Sequence, residues 1–239
     1  MQATEIKQYL EPTSIIDSNS GEIRSLAWQI APSDIPDRER AVRLYLWVRD
    51  EVIYDPYSPF YKPEHYRASE VIKRKRGFCV PKASALCALY RASGIPARLG
   101  FADVKNHLAS RRIVEWLGTD LFVYHGYVEL FMNGRWIKVS PAFDKNLCAR
   151  FGVPPLDFDG IHDAMLQAYA PPVDDETPDQ EKLVGGKERR FMEYVRYHGT
   201  RKDVPIDEIL EAWKAAYGTE RVESWIRELE QSSHSTGDI

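Results

Sequence analysis

Gly77-Phe78-Cys79-Val80-Pro81-Lys82-Ala83-Ser84-Ala85-Leu86-Cys87-Ala88-Leu89-Tyr90-Arg91-Ala92-Ser93-Gly94 decides how the rest of the sequence is read. Gly77 frees the backbone just before the cysteine. Pro81 suits a first helical turn, where its missing N–H is not needed. Ala, Leu and Tyr follow at helical spacing, and Gly94 with Pro96 ends the run. The stretch therefore predicts a helix that begins at Cys79, with the thiol where unpaired N–H groups and the positive end of the helix dipole converge. That field favours thiolate, the nucleophilic form, and the basic run Lys73-Arg74-Lys75-Arg76 adds to it. Against this stands the ordinary fate of a helix-start cysteine, which is to be a small core hydrophobe.

A partner for the thiol is found downstream. Phe122 to Met132 and Arg135 to Phe143 flank Asn133-Gly134, the strongest two-residue hairpin signal. If Met132 opposes Arg135, His125 falls across from Ala142, with Ser140 and Asp144 as diagonal neighbours on the same face. A histidine acting as base needs such a neighbour to fix its tautomer and stabilise its imidazolium. Asp144 also stands where it would cap a helix over 145–150. His65 and His107 lie in polar loops, His162 and His198 in ambiguous segments, and His234 in the tail. Cys87 reads as core and Cys148 as a bystander.

Working outward, Ser20 caps a helix ending before Pro32, and Asp37 caps another whose apolar face is Ala41, Leu44, Tyr45, Val48 and Val52. Arg38, Arg40, Arg43 and Arg49 point outward from it. The loop from Asp55 to Pro63 carries three prolines and reads as packed surface rather than a cleft wall. Residues 68–76 form a short helix into the cysteine elbow, 95–104 a strand, and 105–120 a long loop with a short helix. Residues 171–187 read as an exposed acidic loop, and 206–217 and 219–230 as two amphipathic helices before a polar tail. The domain reading is a core over 1–170 and a C-terminal extension over 171–239 packed on the same domain.

With 239 residues, 44% of them hydrophobic, the chain can bury a full core. A net charge of −4 gives no reason to expect nucleic acid. Three cysteines make neither a disulfide framework nor a zinc pattern. There is no signal-like N-terminus and no stretch of membrane-spanning length, so the expectation is a cytoplasmic protein that does not engage a membrane.

These motifs resemble the transglutaminase-like superfamily, in particular its bacterial stand-alone members. The elbow Gly77-Phe78-Cys79 and the run Arg91-Ala92-Ser93-Gly94-Ile95-Pro96-Ala97-Arg98 are similar to the family's cysteine segment. Tyr124-His125-Gly126-Tyr127-Val128-Glu129-Leu130, then Gly134-Arg135-Trp136, resembles its histidine strand. Val48-Arg49-Asp50 with Val52-Ile53-Tyr54 is similar to the segment before the cysteine, and Pro155-Leu156-Asp157-Phe158-Asp159-Gly160 to the bacterial subgroup. The resemblance implies an α+β, papain-like fold: N-terminal helices on an antiparallel sheet, with the cysteine at a helix start. It carries the nucleophile role to Cys79 and the base role to His125. Where the family has an aspartate before a proline, this chain has Ser140-Pro141, and a serine carries no charge; the third role is therefore assigned to Asp144, with a dyad as the other possibility.

The implied chemistry is cysteine-dependent acyl transfer on a peptide or glutamine amide through a thioester, ending in hydrolysis, deamidation or transamidation. The expected partner is a peptide or protein amide, with no cofactor, metal or calcium. Two alternatives stay open: an arylamine N-acetyltransferase-like enzyme, and a catalytically silent module that keeps the fold.

Overall fold

The computed structural model describes residues 3–107, 109–165, 168–169, 189–190 and 192–235. In chain order the elements are α1 (Ala3–Lys7), α2 (Gly21–Ile30), α3 (Asp37–Glu51), β1 (Ile53–Tyr54), α4 (Ala68–Arg74), β2 (Arg76–Gly77), α5 (Cys79–Ala92) and β3 (Ala97–Asn106). There follow α6 (Arg111–Leu117), β4 (Leu121–Met132), β5 (Arg135–Val139), α7 (Lys145–Arg150), β6 (Ala168–Tyr169), β7 (Arg189–Arg190), β8 (Met192–Arg201), α8 (Ile206–Tyr217) and α9 (Thr219–Ser235). The acidic loop expected over 171–187 lies outside the described residues.

The helix that opens at Cys79 is the hub. Every residue from Val80 to Arg91 is buried, so α5 is covered on all sides, by α2, α3 and α4 and by the sheet. Its few polar side chains therefore serve backbone carbonyls of its neighbours. Lys82 Nζ donates to the carbonyls of Arg49 and Val52 at the end of α3. Ser84 donates to the carbonyl of Tyr66. The Arg91 guanidinium reaches the carbonyls of Ala97, Glu11 and Lys202 at 2.7–2.9 Å, tying four segments together. Orphan carbonyls buried here would otherwise be costly, which is why a charge is tolerated.

The sheet is antiparallel in the order β5-β4-β3-β8. The Asn133-Gly134 turn takes the left-handed backbone on both residues (φ 51° and 79°) and sets the expected register, Met132 opposite Arg135 through Val128 opposite Val139. β5 stops earlier than the sequence suggested. Pro141 has no N–H for the ladder, and the Ser140 N–H turns instead to the Ala164 carbonyl. The strand β8 was not legible in sequence. It pairs along β3 with two register shifts, which break the alternation that would have marked it. From it the chain continues into α8 and α9, whose Ile209, Val222 and Trp225 join the same core.

Two helix starts depart from expectation. Ser20 caps α2 by accepting from the Ile23 N–H at 3.2 Å. Asp37, however, is the first residue of α3 and pairs with Arg40 rather than capping. Arg49, expected outside, is buried against Asp50 and the Leu156 carbonyl.

One contact between helix and sheet sets the spacing of the whole. At Gly126 of β4 a Cβ would lie 2.9 Å from the Cα of Val80, in the first turn of α5. The strand can rest on the helix start only because no side chain intervenes. We expect Gly126→Ala to cost about 1–3 kcal/mol of stability through overpacking, read as a lower melting temperature. Gly134→Ala meets open space but sits at a positive φ, so any smaller loss there reports backbone strain alone.

Candidate active site

The pair β1–β2 runs parallel and sets Tyr54 beside Gly77, so the chain enters α5 along a fixed path. At Gly77 a Cβ would lie 2.7 Å from that of Pro81, so glycine is required by proximity. The helix is uncapped by any side chain at Phe78. Its first N–H groups, those of Cys79 and Val80, and the Gly126 N–H of β4 lie near enough to the Cys79 sulfur to favour its thiolate.

His125 precedes Gly126, and its aim is set by a bulge. Ala102 pairs with His125 and Val104 with Phe122, so Val123 and Tyr124 share the space opposite Asp103. Tyr124 is forced to φ 59°, a left-handed conformation rare for an aromatic residue. Asp103 holds it there: one carboxylate oxygen accepts from the Tyr124 N–H at 3.1 Å and faces His198 Nε2 at 2.6 Å. The Tyr124 ring stacks on His198 with centroids 4.2 Å apart.

Cys79 and His125 line the same cavity. The imidazole is buried, and its Nε2 lies 3.2 Å from the Ser140 hydroxyl. Tyr194 from β8 meets the imidazole edge-on, centroids 6.1 Å apart, with its hydroxyl beside Ser140. The expected pairing of Asp144 with His125 is not formed. Asp144 caps α7, accepting from the N–H groups of Asn146 and Leu147 through one oxygen and from Tyr54 through the other, at 2.9–3.1 Å. The cause lies in the early end of β5: the chain turns at Ser140-Pro141 and takes Asp144 off the face that carries His125. Tyr194 was missed in the sequence because β8 was missed. Pro56, in the loop read as packed surface, lines the cavity.

The electrostatics also differ from the expected thiolate. Burial pushes the Cys79 thiol up to about 11, against the pull of the three N–H groups. Burial likewise lowers His125 to about 4. The basic run does not reach the sulfur; it is solvated and occupied, with Arg74 on Glu70, Lys75 on Glu51 and Arg76 on Asp55 at 3.1–3.8 Å. At neutral pH the resting pair is therefore thiol and neutral imidazole. Of the other histidines, His162 faces Asp159 and His107 faces Glu193, both at the surface. Cys87 and Cys148 are buried and unbridged. Among the described residues no group of three or more His, Cys, Asp or Glu is placed to hold a metal ion, and no helix is long and apolar enough to cross a membrane.

No curated protein matches the chain. Two solved structures are similar to part of it. One is a candidate cysteine protease from Cytophaga hutchinsonii, 21% identical with a TM-score of 0.45, the match covering 59% of this chain and 43% of that one. The other is the periplasmic domain of TgpA from Pseudomonas aeruginosa, 19% identical with a TM-score of 0.42, covering 59% and 48%. The matched part is less than half the length of either structure. Residues 24–141, from α2 through the hairpin to Ser140-Pro141, match the model of the transglutaminase-like superfamily. With its cysteine-headed helix lying on an antiparallel sheet, the segment 24–141 is a transglutaminase-like superfamily core.

Proposed function

We propose that Cys79 is the nucleophile and His125 the base of an acyl transfer on amide substrates, with Ser140 orienting the imidazole. The observation that carries this reading is the shared cavity: thiol and imidazole both open into it, and the sulfur sits under the Gly126 N–H. The match of residues 24–141 to the superfamily supports cysteine-based chemistry in general. Attack begins from the neutral pair. The sulfur bonds to the amide carbonyl carbon as its proton passes to His125, and the oxyanion that forms is met by N–H groups of the helix start. Collapse breaks the C–N bond, His125 returns the proton to the departing amine, and a thioester remains on Cys79. Water then releases the acid, whereas an amine would give transamidation; hydrolysis is our default. The three unbridged cysteines suit a reducing compartment, which agrees with a cytoplasmic location.

The third position sets this site apart from an acid-assisted triad. A hydroxyl steadies an imidazolium as a dipole and not as a charge, so the site works as a dyad with a neutral orienter. The same neutrality is what favours the rival reading of an inert module, and reactivity measurements separate the two.

Iodoacetamide labelling of Cys79, followed by mass spectrometry, should accelerate with pH through neutrality and level off only near the thiol's raised value of about 11. A plateau below pH 7 would mean a resting thiolate–imidazolium pair. Because neutral imidazole is the base, turnover should keep its acid side down to about pH 4, where His125 takes up its proton. In a peptidase and labelled-amine panel, Cys79→Ser should abolish activity and His125→Ala nearly so. Loss of one neutral hydrogen bond predicts that Ser140→Ala lowers turnover by about tenfold. Asp144→Ala should act chiefly on stability, by about 1–3 kcal/mol, because it leaves buried N–H groups without their acceptor.

A further inference from the structure

The cavity that opens on Cys79 is walled mainly by carbon, and its polar groups are largely spoken for. Ile113, Trp116 and Leu117 of α6 form one side, and Trp213 and Tyr217 of α8 another. The Trp213 indole N–H donates to the Val123 carbonyl at 2.9 Å. The Tyr217 hydroxyl accepts from the Val123 N–H at 2.7 Å and donates to the Leu121 carbonyl at 3.2 Å. Both residues therefore line the cavity with their polar atoms already paired to β4. Its volume, about 60 Å³, is several times the roughly 10–15 Å³ that one water needs. A charged or amide group entering it would give up water for little in return.

From this we infer that the substrate's acyl portion carries an apolar side chain of aliphatic size, which is held in this cavity while its carbonyl lies at Cys79. The inference rests on the reading of Cys79 as the nucleophile. Trp213 and Tyr217 stand beyond residue 141, where the superfamily match ends. The cavity wall is thus shared between α6, inside the matched segment, and α8, outside it. Placing the apolar group on the acyl side follows from the sulfur being part of the cavity wall: the acyl group stays bonded there after the amine has gone.

The test uses two peptidyl chloromethyl ketones that differ only in the residue bearing the ketone, leucine or aspartate. In each the Cys79 sulfur displaces chloride and loses its proton, and the adduct is counted by mass spectrometry. The leucine reagent should label faster by on the order of 10–200-fold. Ile113→Asp, which places a carboxylate in the wall at a half-buried position, should reduce that ratio at least tenfold, with the melting temperature as the check on folding. Equal labelling of the wild-type protein by both reagents would overturn the inference and leave the reactive cysteine standing. Tryptophan fluorescence of Cys79→Ala protein, titrated with N-acetyl-leucinamide and N-acetyl-aspartamide, reports the cavity without any chemistry. A Leu preference there, with Cys79 inert to both reagents, would uphold the cavity and overturn the nucleophile; equal titrations would overturn the cavity.

Discussion

Everything in this structure depends on how closely one strand approaches one helix end. The missing side chain at Gly126 lets β4 lie against the first turn of α5, at a separation that no other residue permits without displacement. That single approach brings an N–H of the sheet to a sulfur of the helix, and the preceding histidine lines the same cavity as the sulfur. The remaining architecture holds the two elements in place. Lys82 and Arg91 anchor α5 through backbone carbonyls on either side of it, and the β4 bulge fixes the direction in which His125 leaves the strand.

The same closeness has an electrostatic consequence. A helix start supplies positive potential, but the packing around the half-buried sulfur also strips it of part of its water. Desolvation of an anion in such a place outweighs a few partial charges. Helix position alone is therefore a poor guide to thiolate character; access to water decides it. The imidazole is subject to the same constraint with the opposite sign of charge, so both partners settle in their neutral forms.

Much of the fold was legible because it rests on local chemistry. Pro81 and Gly94 bound α5, Ser20 starts α2, and Asn133-Gly134 fixes the hairpin register. His125 and Ser140 were placed on one face by that register alone. What stayed hidden depended on chain segments far apart. Arg49 looks like a surface cation until Leu156 and Asp157 are folded over it. Asp144 and Ser140 are equivalent diagonal neighbours in an ideal ladder, and only the loss of the ladder at Pro141 separates them. β8 lacks a clean alternation because it is bulged, and with it went Tyr194 and the reason for the strained Tyr124. The two windows 206–217 and 219–230 were readable as helices, but not as walls of a cavity.

The order in which these parts are made follows from where they lie in the chain. Tyr194 is 115 residues after Cys79, and Trp213 and Tyr217 come later still. At ordinary elongation speeds of about 5–20 residues per second, the cysteine helix leaves the ribosome roughly 6–23 s ahead of the strand that flanks its histidine. Throughout that interval β3 has an open edge where β8 will pair. The nascent polypeptide must pass this stage with its sulfhydryl bare to the surroundings, and the arrival of the last helices is what shelters it.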